Sequence, residues 1–331
     1  MYGTSNDRYP VVAEEPSLAS EENSSLTFAN KKIDRNDDHY TSFTKRASRA
    51  SLNMRDQMVF ERMRQDQNLG KHSIRVVACD RHANQVFGLS YDGDIYKRQT
   101  NTPRPGHPEN SYIWSYINLQ GMQFRDISLT KEGVLFAVSN EGQLFKFKEH
   151  KNKMKPKMAH DHQYKLNRVC VTRSRANKKT KVYAIADDGS PLKRVMNNET
   201  RSYEWRTLGV AKLKQISINL KKFHKKPEVW GITFKDHVVT YKHATKTWEM
   251  VDPTLTATDI SVARDFSVFA IRKTDHTIVK FDGQKFSALP SPPFHKQYVS
   301  LCASKNTHIL AIERNSGEVI NIKRKTRRTC M

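Results

Sequence analysis

A three-residue pattern, a bulky residue followed by Gly or Ala and then an aliphatic residue, recurs six times along this chain. It stands at Phe87-Gly88-Leu89, Phe136-Ala137-Val138, Tyr183-Ala184-Ile185, Trp230-Gly231-Ile232, Phe269-Ala270-Ile271 and Leu310-Ala311-Ile312. Successive copies begin 49, 47, 47, 39 and 41 residues apart. A fixed period of ~20–50 residues marks an array of supersecondary units, each too small to bury its apolar face alone. With 331 residues the chain is long enough for one large β architecture.

Each copy sits in a similar local setting. It is followed by a turn and a second apolar run, as in "YDGDIYKR", "NEGQLFKF" and "NSGEVINI". The Gly in such turns supplies the positive φ of a tight hairpin, and the alternation that follows suits a half-buried strand. A further short strand precedes each copy: "IRVVAC", "FRDISL", "LNRVCV", "LKQISI", "ATDISV" and "QYVSLC". Small residues there (Ala78, Ser128, Cys170, Ser217, Ser261, Ser300) fit an innermost strand, where strands converge on an axis. A fourth, usually aromatic element lies between copies, around Trp114, Trp205, Trp248 and Phe286; "KNKMKPKMAHDHQY" lacks an aromatic and fits least well. Four strands in succession per repeat predict an all-β, six-bladed β-propeller.

The last copy ends at "VINIKRKTRRTCM" with no room for its own outer strand. Residues 57–63, within "DQMVFERM", are expected to pair with the final blade and close the ring, so that no sheet edge is left open; a short helix over "LNMRDQMVFERMRQ" is the alternative. The domain organisation expected is a disordered polar arm over 1–55, a propeller over 56–323 and a basic tail over 324–331. The arm is poor in large apolar residues and cannot offset its chain entropy. Within it "KRASRAS" puts an arginine two residues before both Ser48 and Ser51, the pattern of a basophilic kinase substrate.

The combination of "DIS", a bulky-small-aliphatic strand and "G-x-[L/I]-[F/Y]-K", with tryptophan strands between copies, resembles the tectonin family of β-propellers. The resemblance spans about residues 57–323 and is clearest at 126–147 and 259–281. It implies recognition without catalysis: lectins for glycans or lipopolysaccharide, and intracellular adaptors that read lipids or protein partners. The Gly that usually opens the segment after "DIS" is replaced around Lys131 and Arg264.

No catalytic motif is present: neither G-x-S-x-G, a P-loop, H-E-x-x-H nor a dinucleotide fingerprint occurs. No enzyme activity and no cofactor are expected. His160 and His162 offer two imidazoles but no further ligand for a metal. The four cysteines have no CxxC spacing and suggest a reducing compartment. The N-terminal stretch lacks the apolar run of a secretory signal, and no apolar window is long enough for a membrane helix. A cytoplasmic location is expected, or a nuclear one if "KRKTRR" serves as a localisation patch.

Charge is the strongest remaining signal, with 57 Lys and Arg against 34 Asp and Glu, a net +23. Such a balance favours acidic partners. Clusters at "KEHKNKMKPKM", "RSRANKKTK" and "KKFHKKP" fall in expected connections of blades two, three and four that leave from one rim. The candidate binding residues are Lys151, Lys153, Lys155, Lys157, Lys178, Lys179, Lys181, Lys221, Lys222, Lys225 and Lys226. The partner expected is an acidic protein surface, an anionic lipid headgroup or a cytoskeletal surface. A glycan-binding lectin is the second reading. Sequence-independent nucleic-acid binding is the third, disfavoured because Phe223 alone lies within a basic cluster to stack on bases.

Overall fold

A computed structural model describes residues 58–62, 74–80, 83–100, 112–119, 121–150, 153–159, 163–173, 179–219, 227–289, 296–305 and 308–324. The expected arm, with Ser48 and Ser51, lies outside the described residues, as does most of the expected C-terminal tail. Among the described residues the fold is all-β, with six four-stranded antiparallel sheets arranged as the blades of a propeller.

Blade one comprises β2 (Ile74–Cys79), β3 (Val86–Ser90), β4 (Ile95–Thr100) and β5 (Tyr112–Tyr116). Blade two comprises β6 (Phe124–Leu129), β7 (Leu135–Ser139), β8 (Leu144–His150) and β9 (Lys153–Met158). The third contains β10 (Leu166–Arg173), β11 (Thr180–Ala186), β12 (Pro191–Met196) and β13 (Tyr203–Thr207). Next come β14 (Leu213–Asn219), β15 (Glu228–Thr233), β16 (Val238–Lys242) and β17 (Thr247–Met250), and then β18 (Ala257–Val262), β19 (Val268–Arg272), β20 (Ile278–Phe281) and β21 (Phe286–Ala288). The sixth blade takes β22 (Tyr298–Lys305), β23 (His308–Glu313) and β24 (Val319–Arg324) from the end of the chain and β1 (Met58–Arg62) from near its start.

The ring therefore closes as the sequence predicts. β1 runs antiparallel to β24 with Phe60 opposite Ile322, so residues 58–62 are strand rather than helix. β24 extends to Arg324, so the basic segment beginning at Lys323 starts inside the sheet and not after it.

The six copies of the bulky-small-aliphatic pattern are the second strands. β3 and β7 are buried at every position, as expected of a strand covered on both faces. Alternation sends the bulky and aliphatic residues to one face and the small residue to the other. Phe87 and Leu89 pack with Phe124, Ile127 and Ala137 of blade two. Phe136 and Val138 pack in turn with Val169 and Ala184 of blade three, and Phe269 and Ile271 with Leu301 and Ala311 of blade six. Leu310 and Ile312 meet Ile74, Val77 and Trp114 of blade one. Among the described residues there are six apolar cores, one at each seam, in place of a single central one.

The small middle residue leaves room for the first and fourth strands. A Cβ on Gly88 would stand 2.9 Å from Ile74 Cδ1 and 3.0 Å from Trp114 Cζ3. In blade one the small residue thus makes room for the outer-strand tryptophan, whereas a Cβ on Gly231 of blade four would meet the inner strand, 2.7 Å from Leu213 Cδ1. Blade two, which lacks the tryptophan, fills the place differently: Met154 and Met158 of β9 pack on the seam core. Pro156 is tolerated there because β9 is an outermost strand, paired only with β8.

Backbone bonds stitch each turn to the next blade. Phe124 N–H donates to Gly93 O (2.9 Å), Leu166 N–H to Gly142 O (2.9 Å) and Leu213 N–H to Gly189 O (2.8 Å). The same bond reaches Asp236 O from Ala257 N–H and His276 O from Tyr298 N–H. These turn residues all have positive φ, including the non-glycines Asp236 (69°) and His276 (56°). Gly142 combines φ +84° with a close approach, since a Cβ would lie 2.9 Å from Leu166 N. Gly142→Ala is expected to cost about 1–3 kcal/mol by urea unfolding. Gly121→Ala, at φ +80° with open space around it, should cost about 1 kcal/mol. Equal costs would mean that the turn contact does not constrain the seam.

Candidate functional site

Six inner strands, β2, β6, β10, β14, β18 and β22, line a central channel with a cavity of about 240 Å³. Aligning them on their pairing with the second strands places Val77, Ile127, Val169, Ile216, Ile260 and Leu301 at one level, opposite the small residues. One residue later the level reads Ala78, Ser128, Cys170, Ser217, Ser261 and Cys302. Ser300 belongs two levels earlier, beside Asp126 and Asp259, so Cys302 is the sixth member of the small ring.

These small residues do more than save space. Ser128 Oγ accepts from Val171 N–H (3.1 Å), Ser217 Oγ from Val262 N–H (2.9 Å) and Ser261 Oγ from Ala303 N–H (3.0 Å). The Cys170 sulfur takes the Ile218 N–H, and the Cys302 sulfur the Cys79 N–H. In every case the donor belongs to the following blade. The aspartates of the "DIS" segments do the same two levels earlier: Asp126 Oδ2 accepts from Val169 N–H (2.7 Å) and Asp259 Oδ2 from Leu301 N–H (2.8 Å). The most recognisable triplet of the sequence is thus a pair of acceptors that latches one inner strand to the next.

The channel has two chemically different ends. Near the start of the inner strands lie Asp126 and Asp259, both buried. Arg168 stands 3.4 Å from Asp126 Oδ1, and Gln215 Nε2 donates to Asp259 Oδ1. Burial pushes both carboxyls above the ordinary value, against the pull of Arg168 and of the N–H donors. At the other end, where the inner strands run into their first connections, Lys131, Arg173 and Arg264 line the mouth. Glu132 partly offsets them, 3.7 Å from Lys131 and 3.9 Å from Arg173.

The sequence of the connections is divided in the same sense. Counted from the last residue of one strand up to the next strand, the connections joining inner to second strands carry twelve Lys or Arg and three Asp or Glu. Those joining second to third strands, on the opposite rim, carry four Lys or Arg and nine Asp or Glu. Antiparallel pairing within every blade assigns the two sets to opposite ends of the strands. The acidic rim contains compact ion pairs, including Lys212 with Asp188 (2.6 Å), Arg125 with Asp187 (2.7 Å), and Lys214 and Lys273 with Asp236.

The candidate lysines are distributed over three settings. Lys179 lies exposed just ahead of β11, and half-buried Lys181 lies inside it, its ammonium pKa lowered by burial and by Lys193. Lys153, Lys155 and Lys157 are not in a loop as expected: "KEHKNKMKPKM" is the β8–β9 hairpin, with 148–150 in one strand and 153–158 in the other. Strand alternation explains the lysine spacing, since Lys155 and Lys157 are exposed while Met154 and Met158 face the core. Those lysines run along the outer edge of blade two, away from the channel mouth. Lys151, Lys178, Lys221, Lys222, Lys225 and Lys226 lie outside the described residues, as do His160 and His162. Sequence reasoning missed Lys131, Arg173 and Arg264; the signal was a cation four residues beyond the central aliphatic residue of the inner strand. Among the described residues no group of three potential metal ligands comes together, and no helix is long and apolar enough to cross a membrane.

Six four-stranded blades around a lined channel define a β-propeller. The tectonin-domain family model matches residues 75–312, and the chain belongs to that family. No curated protein matches the sequence. Among solved structures, the crystal structure of the Myceliophteria thermophila Cps50 (Swd1) beta-propeller domain is similar at a TM-score of 0.51, with 8% identity over 81% of this chain and 99% of that one. That likeness is one of fold.

The buried carboxyls make the latch pH-dependent. Their folded-state pKa values are raised above the ordinary carboxyl value of 3.8, so the folded protein holds these protons more tightly than the unfolded chain. The resulting stabilisation is complete below 3.8 and is lost as pH rises through the raised folded value. Asp126→Asn with Asp259→Asn keeps an oxygen acceptor and removes the titration, and should flatten the decline measured by urea unfolding between pH 4 and 6. Asp259→Ala strands the Leu301 N–H and should cost about 1–3 kcal/mol at pH 7.

Proposed function

We propose that this chain is a non-enzymatic binding or scaffold propeller that docks acidic partners, protein surfaces or anionic lipid headgroups, on the rim formed by the connections between inner and second strands. The observation that supports this most directly is the opposition of charge between two sets of connections at opposite ends of the strands, twelve cations to three acids between inner and second strands and four to nine between second and third strands. A merely solubilising charge would be spread over both. Segregation onto one rim orients the field of the molecule, so that it steers an acidic partner toward one face.

Lys178, Lys179, Lys181, Lys221, Lys222, Lys225 and Lys226 belong to connections or strand ends of that rim, and Lys131, Arg173 and Arg264 extend it to the channel mouth. Lys155 and Lys157 add positive charge on the outer strand of blade two, and Lys151 and Lys153 precede them in sequence. Membership of the tectonin family supports recognition as the general task. Ser48 and Ser51, if phosphorylated, would offset the local positive charge of "KRASRAS".

Replacing Lys178, Lys179, Lys221 and Lys222 by Glu should weaken binding to vesicles containing phosphatidylserine, or to a polyglutamate peptide, by about tenfold or more at 0.05 M salt. The salt dependence up to 0.3 M should flatten with it. The same substitutions on the opposite rim, Lys235→Glu and Arg314→Glu, should leave binding within about twofold. Equal loss from either rim, or binding that ignores both, would overturn the proposal. Retention of duplex DNA irrespective of sequence would move the reading to nucleic acid, and selective glycan capture to a lectin.

A further inference from the structure

The seam between the first and last blades differs from the other five. At the ring level where Ser128, Ser217 and Ser261 act as latches, blade six carries Cys302. The residue that donates its N–H across each seam has an aliphatic side chain in the blades that follow: Val171, Ile218, Val262 and Ala303. Blade one instead has Cys79 at that place, and its sulfur lies 3.2 Å from Cys302 Sγ. Cys170 of blade three also stands at the latch level, but among the described residues only the seam of blades six and one brings a second thiol to the latch sulfur.

We propose that Cys79 and Cys302 form an oxidative modification site, converted by hydroperoxides into a disulfide that locks the innermost strands of the ring where its first and last blades join.

The geometry suits the chemistry. Both sulfurs lie at or below the contact distance of two unbonded thiols, and a disulfide needs them to close to ~2.05 Å. Both residues are half-buried and line the central channel, which admits a molecule as small as hydrogen peroxide. The Cys79 N–H donates to the Cys302 sulfur, which the Cys79 sulfur also faces, and these two contacts hold the Cys302 pKa below the ordinary thiol value. The Cys79 thiol, hydrogen-bonded to Cys302 and desolvated, has its own pKa raised. Cys302 is then the attacking thiolate and Cys79 the resolving thiol. In the first step the Cys302 thiolate attacks one peroxide oxygen; the O–O bond breaks, and the departing hydroxide takes a proton to give water and Cys302 sulfenic acid. In the second step the Cys79 sulfur, losing its proton, attacks the sulfenic sulfur and expels a second water. Two thiols and one peroxide give one disulfide and two waters. Cys170 lies one blade-pair away, with its sulfur taken up by the Ile218 N–H, and has no thiol opposite it at its seam.

The covalent lock would join blades one and six at the axis, while β1 and β24 join them at the periphery. Because it closes nearly the whole propeller into one loop, it is expected to raise the unfolding temperature by about 5 °C.

The test uses the full chain, fully reduced and then exposed to one equivalent of hydrogen peroxide. Peptide mapping should find one peptide pair joined through Cys79 and Cys302, two hydrogens lighter than the sum of its parts. The denatured protein's free thiols should fall from four to two, and dithiothreitol should restore both the thiols and the original unfolding temperature. Cys302→Ser and Cys79→Val restore the residues that other blades carry at these places, so both variants should fold. Cys79→Val should stop at a Cys302 sulfenic acid trapped by dimedone, and Cys302→Ser should show neither link nor adduct. Cys170→Ser should leave the link unchanged. A link through Cys170 or Cys330, overoxidation of Cys302 in the unsubstituted protein without a link, or no reaction at either thiol would each overturn the proposal.

Discussion

A side-chain acceptor that crosses a seam to meet the backbone N–H of the next inner strand is the contact on which the ring depends. The inner strands belong to different sheets and make no ladder with one another. Their N–H groups on that side would face an apolar seam or the channel without a partner, and a buried orphan donor costs about 1–3 kcal/mol. Ser128, Ser217, Ser261, Asp126 and Asp259 each satisfy one. Because every latch points the same way round the axis, they fix how far each blade is turned against its neighbour. The apolar seam cores then pack at that angle.

Those cores impose the second constraint. Each contains the bulky and aliphatic residues of one second strand and the small residue of the next, as Phe136, Val138 and Ala184 illustrate. No blade completes a core by itself, so stability is shared around the ring and the terminal units must be joined. Putting β1 beside β24 meets that need with a strand drawn from the opposite end of the chain, which covers an edge that would otherwise invite association with other chains.

The connections take part in this unevenly: the turns at Gly93, Gly142 and Gly189 bond to the next blade, and Ala83 and Ala263 enter seam cores, while the polar residues between them are used by neither. Charge has been sorted there, cations gathering where inner strands end and acids where second strands turn. Loops carried on a rigid scaffold can change their chemistry without disturbing the ring.

The fold was legible in the sequence because the packing demand repeats. A small residue between two large ones, a turn with positive φ and a preceding "DIS" or its equivalent are local requirements that each blade meets separately, and six copies make the pattern visible. The missing outer strand of the last repeat was legible by subtraction. The site was legible only in part. The lysine runs of blades three and four stand out as composition, but the run in blade two is the alternation of an outer strand, and its methionines take the role that aromatics have elsewhere. Composition alone could not separate a loop from a hairpin there. What the tertiary structure alone decided is which residues meet across a seam: that the "DIS" Asp and Ser serve the neighbouring blade's backbone, that Lys131, Arg173 and Arg264 surround one mouth, and that Cys79 faces Cys302 although 223 residues separate them. These contacts arise because the ring closes and sets each strand's register against another blade, a geometric relation that no local pattern encodes.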